Sequence, residues 1–174
     1  MKAIIKPTNS EVRFHEPDII VSKTDLKGRI TYANQTFCEV AGYTEAELLG
    51  QPHSIIRHPD MPRAVFKLLW DTILAGRVIF AYVKNMAKNG DYYWVFAHVT
   101  PSYDDKHNIV AFHSSRRVPD RAVVENTIAP LYAAVLREEK KYANGQQELA
   151  AGYSFLTNVL DSRNTTYDAL IFSL

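Results

Sequence analysis

The sequence predicts a single α+β domain. Three observations carry that reading: strand-like runs lie on both sides of a helical middle section, hairpin turns join them, and helical periodicity resumes near the C-terminus. The 174 residues suffice for one ordinary core and are too few for two full domains. At 47% hydrophobic and 22% charged residues, the composition is that of a folded chain rather than a disordered one.

Residues 1–18 read as an N-terminal cap, polar and punctuated by Pro7 and Pro17. Two β-rich runs, 19–23 and 29–33, flank Asp25-Leu26-Lys27-Gly28 and predict an antiparallel hairpin. Phe37, Val40 and Ala41 then recur at helical spacing, with Asn34 as N-cap and Gly42 as stop. Thr44 with Glu47 three residues on is a capping box for a second short helix ending at Gly50. The stretch 51–62 holds three prolines and two histidines and reads as an irregular loop or single turn. Pro62 fits the first turn of an amphipathic helix whose stripe is Val65, Phe66, Leu69, Trp70 and Ile73, ended by Gly76. Three strands follow, the first two joined by Asn89-Gly90 and the last two by a turn over 104–108. After Pro119 the pattern is helical, and Pro130 is expected to kink that helix or end its first segment. The tail from Gly145 reads as one or two further short helices, closing on the apolar TYDALIFSL. The expected architecture is a five-stranded antiparallel sheet with short helices on one face, plus C-terminal helices.

Charge and cysteine content narrow the function classes. Twenty basic residues against nineteen acidic ones leave +1, without the basic excess of a nucleic-acid or membrane-surface binder. No apolar run approaches the ~18 residues that span a bilayer, and MKAIIKPTNSEVRF has no secretory h-region. Cys38 stands alone, which excludes an internal disulfide, a CxxC motif and a covalent CxxCH haem. A cytoplasmic location is the expectation. No GxSxG, HExxH or P-loop occurs, so an enzyme is not expected.

Several residues stand out as candidate ligand contacts. Alternation along 78–88 puts Ile79, Ala81, Val83, Asn85 and Ala87 on one face, with Phe80, Tyr82 and the lysines on a face nearer solvent. Asn85 is thereby a carboxamide among apolar neighbours, paired either with local backbone or with a ligand. Arg57, His58 and Asp60 sit in the Pro-rich loop before a helix; Asp60 orients His58, meets a ligand hydroxyl or caps that helix. Phe66 and Trp70 lie one turn apart, as core or as walls for a flat heterocycle. A His53–His58–Asp60 metal site is a weaker alternative.

The runs TDLKGRITYANQTFCEVAGYTEAELLGQPHSIIRHPDMP, VKNMAKNGDYYWVFAHVTP and IAPLYAAV resemble the flavin-binding PAS domain of bacterial aerotaxis (energy-taxis) receptors. The resemblance covers roughly residues 18–136. It implies a PAS fold over 19–118, an N-terminal cap over 1–18 and a helical extension over 119–174. It also implies non-covalent FAD, with Asn34, Arg57, His58, Asp60, Phe66, Trp70, Asn85 and His98 as the cofactor-binding residues. The chain departs from the family pattern at Ile79, Ala81 and Met86, where relatives carry Trp, Gly and a basic residue, and His98 stands where Asn is common. The resemblance further implies redox or energy sensing passed to a membrane chemoreceptor-like transducer in trans, since no membrane or HAMP segment is present before Leu174. A homodimer is expected. Haem b on one of the histidines, or a cofactor-free dimerisation or docking module, are the alternatives.

Overall fold

The computed structural model describes residues 5–174; residues 1–4 of the expected N-terminal cap lie outside the described residues. Strands β1 (Ile20–Thr24), β2 (Ile30–Ala33), β3 (Ile79–Met86), β4 (Tyr92–Tyr103) and β5 (Ile109–Arg117) form one antiparallel sheet in the order β2-β1-β5-β4-β3. The first hairpin closes because Asp25 accepts from the backbone N–H groups of Lys27 and Arg29, both at 2.8 Å, and Gly28 takes φ 74°. Register puts Ser22 opposite Ser114, Ala97 opposite Arg116 and Asn85 opposite Tyr93, so these side chains share the inner face.

The connection from β2 to β3 covers that inner face. Helix α1 (Gln35–Ala41) starts at Asn34, whose Oδ1 accepts from the Phe37 N–H at 3.0 Å, and stops at Gly42 in the left-handed region. Helix α2 (Glu45–Leu48) carries the expected reciprocal capping box between Thr44 and Glu47. The loop 51–62 contains a single 3-10 turn, His53–Ile56. Helix α3 (Arg63–Leu74) follows, with Pro62 as its N-cap residue rather than inside the first turn. Pro62 has no side-chain donor or acceptor, and a residue from the other end of the chain replaces the missing cap. Glu139 accepts from the Arg63 N–H at 3.0 Å and the Ala64 N–H at 2.8 Å.

Glu139 belongs to the C-terminal helices. Helix α4 (Arg121–Val123) starts at Asp120 and widens into a π-helical stretch, Val124–Ile128, that leads into α5 (Ala129–Glu139). Pro130 therefore does not end the helix. Its missing N–H and bulky ring fall just after the widened turn, where the bonding register has already shifted. The tail is more ordered than its sequence predicts: α6 runs eighteen residues (Gly145–Ser162) from an Asn144 cap, and α7 (Tyr167–Ser173) completes the chain.

These helices lie on the other face of the sheet and around its β3 edge. Tyr132 donates to the Tyr82 carbonyl at 2.9 Å and meets the Tyr167 hydroxyl at 3.0 Å. Trp94 packs against Tyr132, and Phe80 against Phe172 with centroids 4.9 Å apart. The face of β3 that alternation assigned to solvent is thus covered, and Tyr82 is buried. The N-terminal segment also ties in: Val12 N–H donates to Tyr92 at 2.8 Å, and Arg121 pairs with Glu11 at 2.8 Å.

Candidate cofactor cavity

Between α3 and the inner face of the sheet lies a cavity of about 320 Å³. Its helical wall is Phe66, Leu69, Trp70 and Ile73, four of the five residues of the stripe read from sequence; Val65 is buried off the lining. Trp70 is fixed from two sides. Phe112 meets it edge-on, with centroids 5.5 Å apart, and the turn at Gly28 approaches so closely that a Cβ there would stand 3.0 Å from the indole. The floor is built from alternating strand residues, Val83 and Asn85 of β3, Ala97 and Val99 of β4, Phe112 and Arg116 of β5. Exposed Lys27, Pro52 and Ser54 mark the open end, while Asn85 and Arg116 are buried.

The polar groups of this cavity are incompletely paired. Asn85 is 4% exposed, and its carboxamide is on the cavity lining. Arg57 pairs backbone-to-backbone with Asn85 on the free edge of β3, which brings the two side chains to one end of the cavity. The Arg57 guanidinium stacks 3.9 Å over the Phe66 ring, leaving Nε without an acceptor. Burial, then the nearby Arg63 charge, lowers the Arg57 pKa, with Glu139 opposing. Arg116 donates from Nη2 to the Ser22 hydroxyl at 2.6 Å and lies 4.4 Å over the Phe37 ring. Its Nε and Nη1 are orphaned, and burial pulls its pKa down to about 10. His53 Nε2 is 3.2 Å from the same Ser22 hydroxyl; burial, then Arg116 and Arg57, push its pKa down to about 3, so the ring is neutral. Among the described residues lining the cavity there is no Asp or Glu. Such a space favours a flat aromatic ligand carrying hydrogen-bond acceptors or negative charge.

Of the residues predicted from sequence, Arg57, Phe66, Trp70 and Asn85 come together here, and Asn34, His58, Asp60 and His98 do not. Asn34 is spent on local structure: besides capping α1 it accepts from Val21 N–H at 2.9 Å and donates to the Ile19 carbonyl at 2.7 Å. His98 points to the opposite face of the sheet, stacked on Phe80 at 4.3 Å, because it is out of phase with Ala97 and Val99. His58 and Asp60 brace the loop. Asp60 N–H donates to His58 Nδ1 at 3.1 Å, and the Asp60 carboxylate takes Lys84 Nζ at 2.7 Å. The three family departures, Ile79, Ala81 and Met86, also lie off the lining. No group of three or more His, Cys, Asp or Glu among the described residues is placed to hold a metal.

Sequence reasoning passed over Arg116 and Ser22, and weighed His53 only as a haem or metal ligand. A signal was available for Arg116. Phasing β5 from Phe112 puts Ser114 and Arg116 on the core face, and a core-facing arginine without a carboxylate nearby marks a site.

The PAS fold family matches residues 30–116. The chain is 44% identical over 117 residues to the aerotaxis receptor of Escherichia coli (strain K12), covering 67% of this chain and 22% of that protein. It is 33% identical over 86 residues to a nitrogen fixation regulatory protein of Klebsiella pneumoniae, covering 49% of this chain and 17% of the relative. The chain thus spans about a fifth of the length of these curated relatives. Among solved structures, a light-oxygen-voltage domain studied with a flavin analogue superposes with a TM-score of 0.57 at 19% identity, over 66% of this chain and 90% of that one. The dark structure of the Aureochrome1 light-oxygen-voltage domain gives 0.55 at 24% identity, over 71% and 86%. No helix among the described residues is long and apolar enough to cross a membrane. With its sheet order, its inner-face helices and the match over half its length, the chain belongs to the PAS fold family.

Proposed function

We propose that this chain is a sensory, non-enzymatic PAS module that binds a flavin, FAD, in the α3–sheet cavity and reports redox or energy state. The observation that carries the reading is the cavity's chemistry. It combines aromatic walls, a buried carboxamide on the lining at Asn85 and two arginines with orphaned N–H groups, without a lining carboxylate. A flavin, when bound, supplies a redox-active ring whose protonation and hydrogen-bonding character differ between its oxidised and reduced forms. Asn85 offers both donor and acceptor to an amide-like ring edge. Phe66 and Trp70 exclude water and wall the ring, and Arg57 adds positive charge. Likeness to an aerotaxis receptor and to a domain studied with a flavin analogue supports this assignment. Asn34, His58 and Asp60 act on the site through the fold, by holding the elements that carry it, and His98 belongs to the outer face.

In this reading residues 19–118 sense and the extension over 119–174 reports. The coupling runs through α3, whose inner stripe walls the cavity and whose N-terminus is held by Glu139 of α5. A change at Asn85 or Phe66 that shifts α3 is felt at α5 and α6. Output passes by protein contact to a chemoreceptor-like transducer, with the module acting as a cytoplasmic homodimer. The experiment is flavin content: wild-type protein purified with adequate flavin carries about one equivalent, whereas Arg57→Ala and Asn85→Ala lose it. Folded, colourless wild-type protein that ignores added FAD would refute the reading.

A further inference from the structure

Arg116 presents a charge that the protein does not balance. It is 2% exposed, its Nε and Nη1 meet no acceptor, and its one hydrogen bond goes to a neutral hydroxyl. The groups around it are Ser22, the Phe37 ring, neutral His53 and the Tyr93 phenol, whose own hydroxyl is also unpaired. None is an anion. A guanidinium in such surroundings destabilises an empty fold, and two mispaired donors add to the penalty. Its position is equally specific. Arg116 lies with Asn85 among the buried lining residues, whereas exposed Lys27 is the cation at the open end. A volume of about 320 Å³ matches a ring system rather than a whole dinucleotide.

We infer that Arg116 is a specificity-determining residue of the cavity, which recognises the acceptor edge of the ligand's ring and leaves any phosphate to the open end. The inference rests on the flavin reading and adds which part of the molecule Arg116 reads: the carbonyl-bearing edge of the ring.

Riboflavin and FAD share that ring and differ in phosphate, so titrating both into the full chain separates the two sources of acceptor oxygens. Arg116→Gln and Arg116→Met are expected to weaken riboflavin and FAD alike, on the order of tenfold to a hundredfold. Flavin-free Arg116→Met is expected to melt at or above the wild-type temperature, because an unpaired buried charge has been removed. A merely structural arginine gives the reverse, a lower melting temperature with affinity unchanged for the folded fraction, and overturns the inference. So does a chain that fails to fold without Arg116. A loss confined to FAD, with riboflavin binding intact, assigns Arg116 to phosphate and overturns it too. Wild-type protein that binds neither flavin refutes the underlying flavin reading, a result distinct from wild-type binding that Arg116→Gln leaves unchanged.

Discussion

Replacing Glu139 by Ala removes the cap that α3 receives from the far end of the chain. Two N–H···O bonds are lost, at 3.0 and 2.8 Å, both to a carboxylate that is 3% exposed. Hydrogen bonds to charged groups contribute about 1.5–3 kcal/mol each. A carboxylate at a helix N-terminus adds about 0.3–1 kcal/mol. The packing against Gly152, where a Cβ would stand 2.5 Å from the Glu139 side chain, leaves little room for relaxation. Because the bonds share one carboxylate, the sum is not additive, and the expected loss is about 3–5 kcal/mol. That is a large fraction of the ~5–15 kcal/mol that holds an ordinary domain together. Urea unfolding followed by circular dichroism reads it as a lower midpoint with an unchanged slope. Glu139→Gln keeps one acceptor and is expected to lose about half as much. Glu148→Ala, which breaks the more exposed pair with Arg63 nearby, is the control and is expected to cost at most about 1 kcal/mol. A Glu139→Ala midpoint indistinguishable from wild type would refute the claim that the C-terminal helices are built onto the cavity helix.

Other outcomes follow from the same geometry. Tyr132→Phe removes the bond to the Tyr82 carbonyl and leaves the Tyr167 hydroxyl unpaired, so chemical denaturation is expected to show a loss of about 1–3 kcal/mol. His53 is held neutral with a pKa of about 3, below its unfolded value near 6.5. Below pH 6.5 the unfolded chain therefore binds more protons than the folded one, and stability falls with pH between about 6.5 and 3. The His53 share of that fall is expected to reach at most about 2 kcal/mol by pH 5, and a His53→Gln variant should show a correspondingly flatter profile in denaturation series across this window. His98→Ala alters the outer face only and is expected to leave flavin affinity unchanged, which a binding titration checks against Asn85→Ala.

Much of the fold is legible locally. The Asn34 cap, the Thr44–Glu47 box, the Asn89-Gly90 turn and the Phe66–Trp70 stripe act within a few residues of chain, and each forms where spacing places it. What escapes the sequence is pairing across the chain. Glu139 lies 76 residues from the N–H it caps; its spacing from Tyr132 and Val135 puts it on the buried side of its helix, but nothing local names the helix it caps. Pro130 reads as a breaker because the wider π turn before it depends on tertiary packing. At the site, alternation assigns Asn85 to the inner face. The neighbouring strands then decide the rest, sending His98 outward and Arg116 inward. His58 and Asp60 look like ligand contacts because polar residues in a Pro-rich loop project from it. In the fold they project toward each other and Lys84.

The central claim is that the α3–sheet cavity holds a flavin through Asn85 and its arginines. The most direct test is the absorption spectrum of the purified 174-residue chain after incubation with FAD and removal of the excess. The account predicts flavin bands at about one equivalent per chain, retained by His98→Ala and lost by Asn85→Ala while the variant still melts cooperatively. A folded wild-type protein that emerges without flavin absorbance, or an Asn85→Ala protein that keeps it in full, would contradict the account.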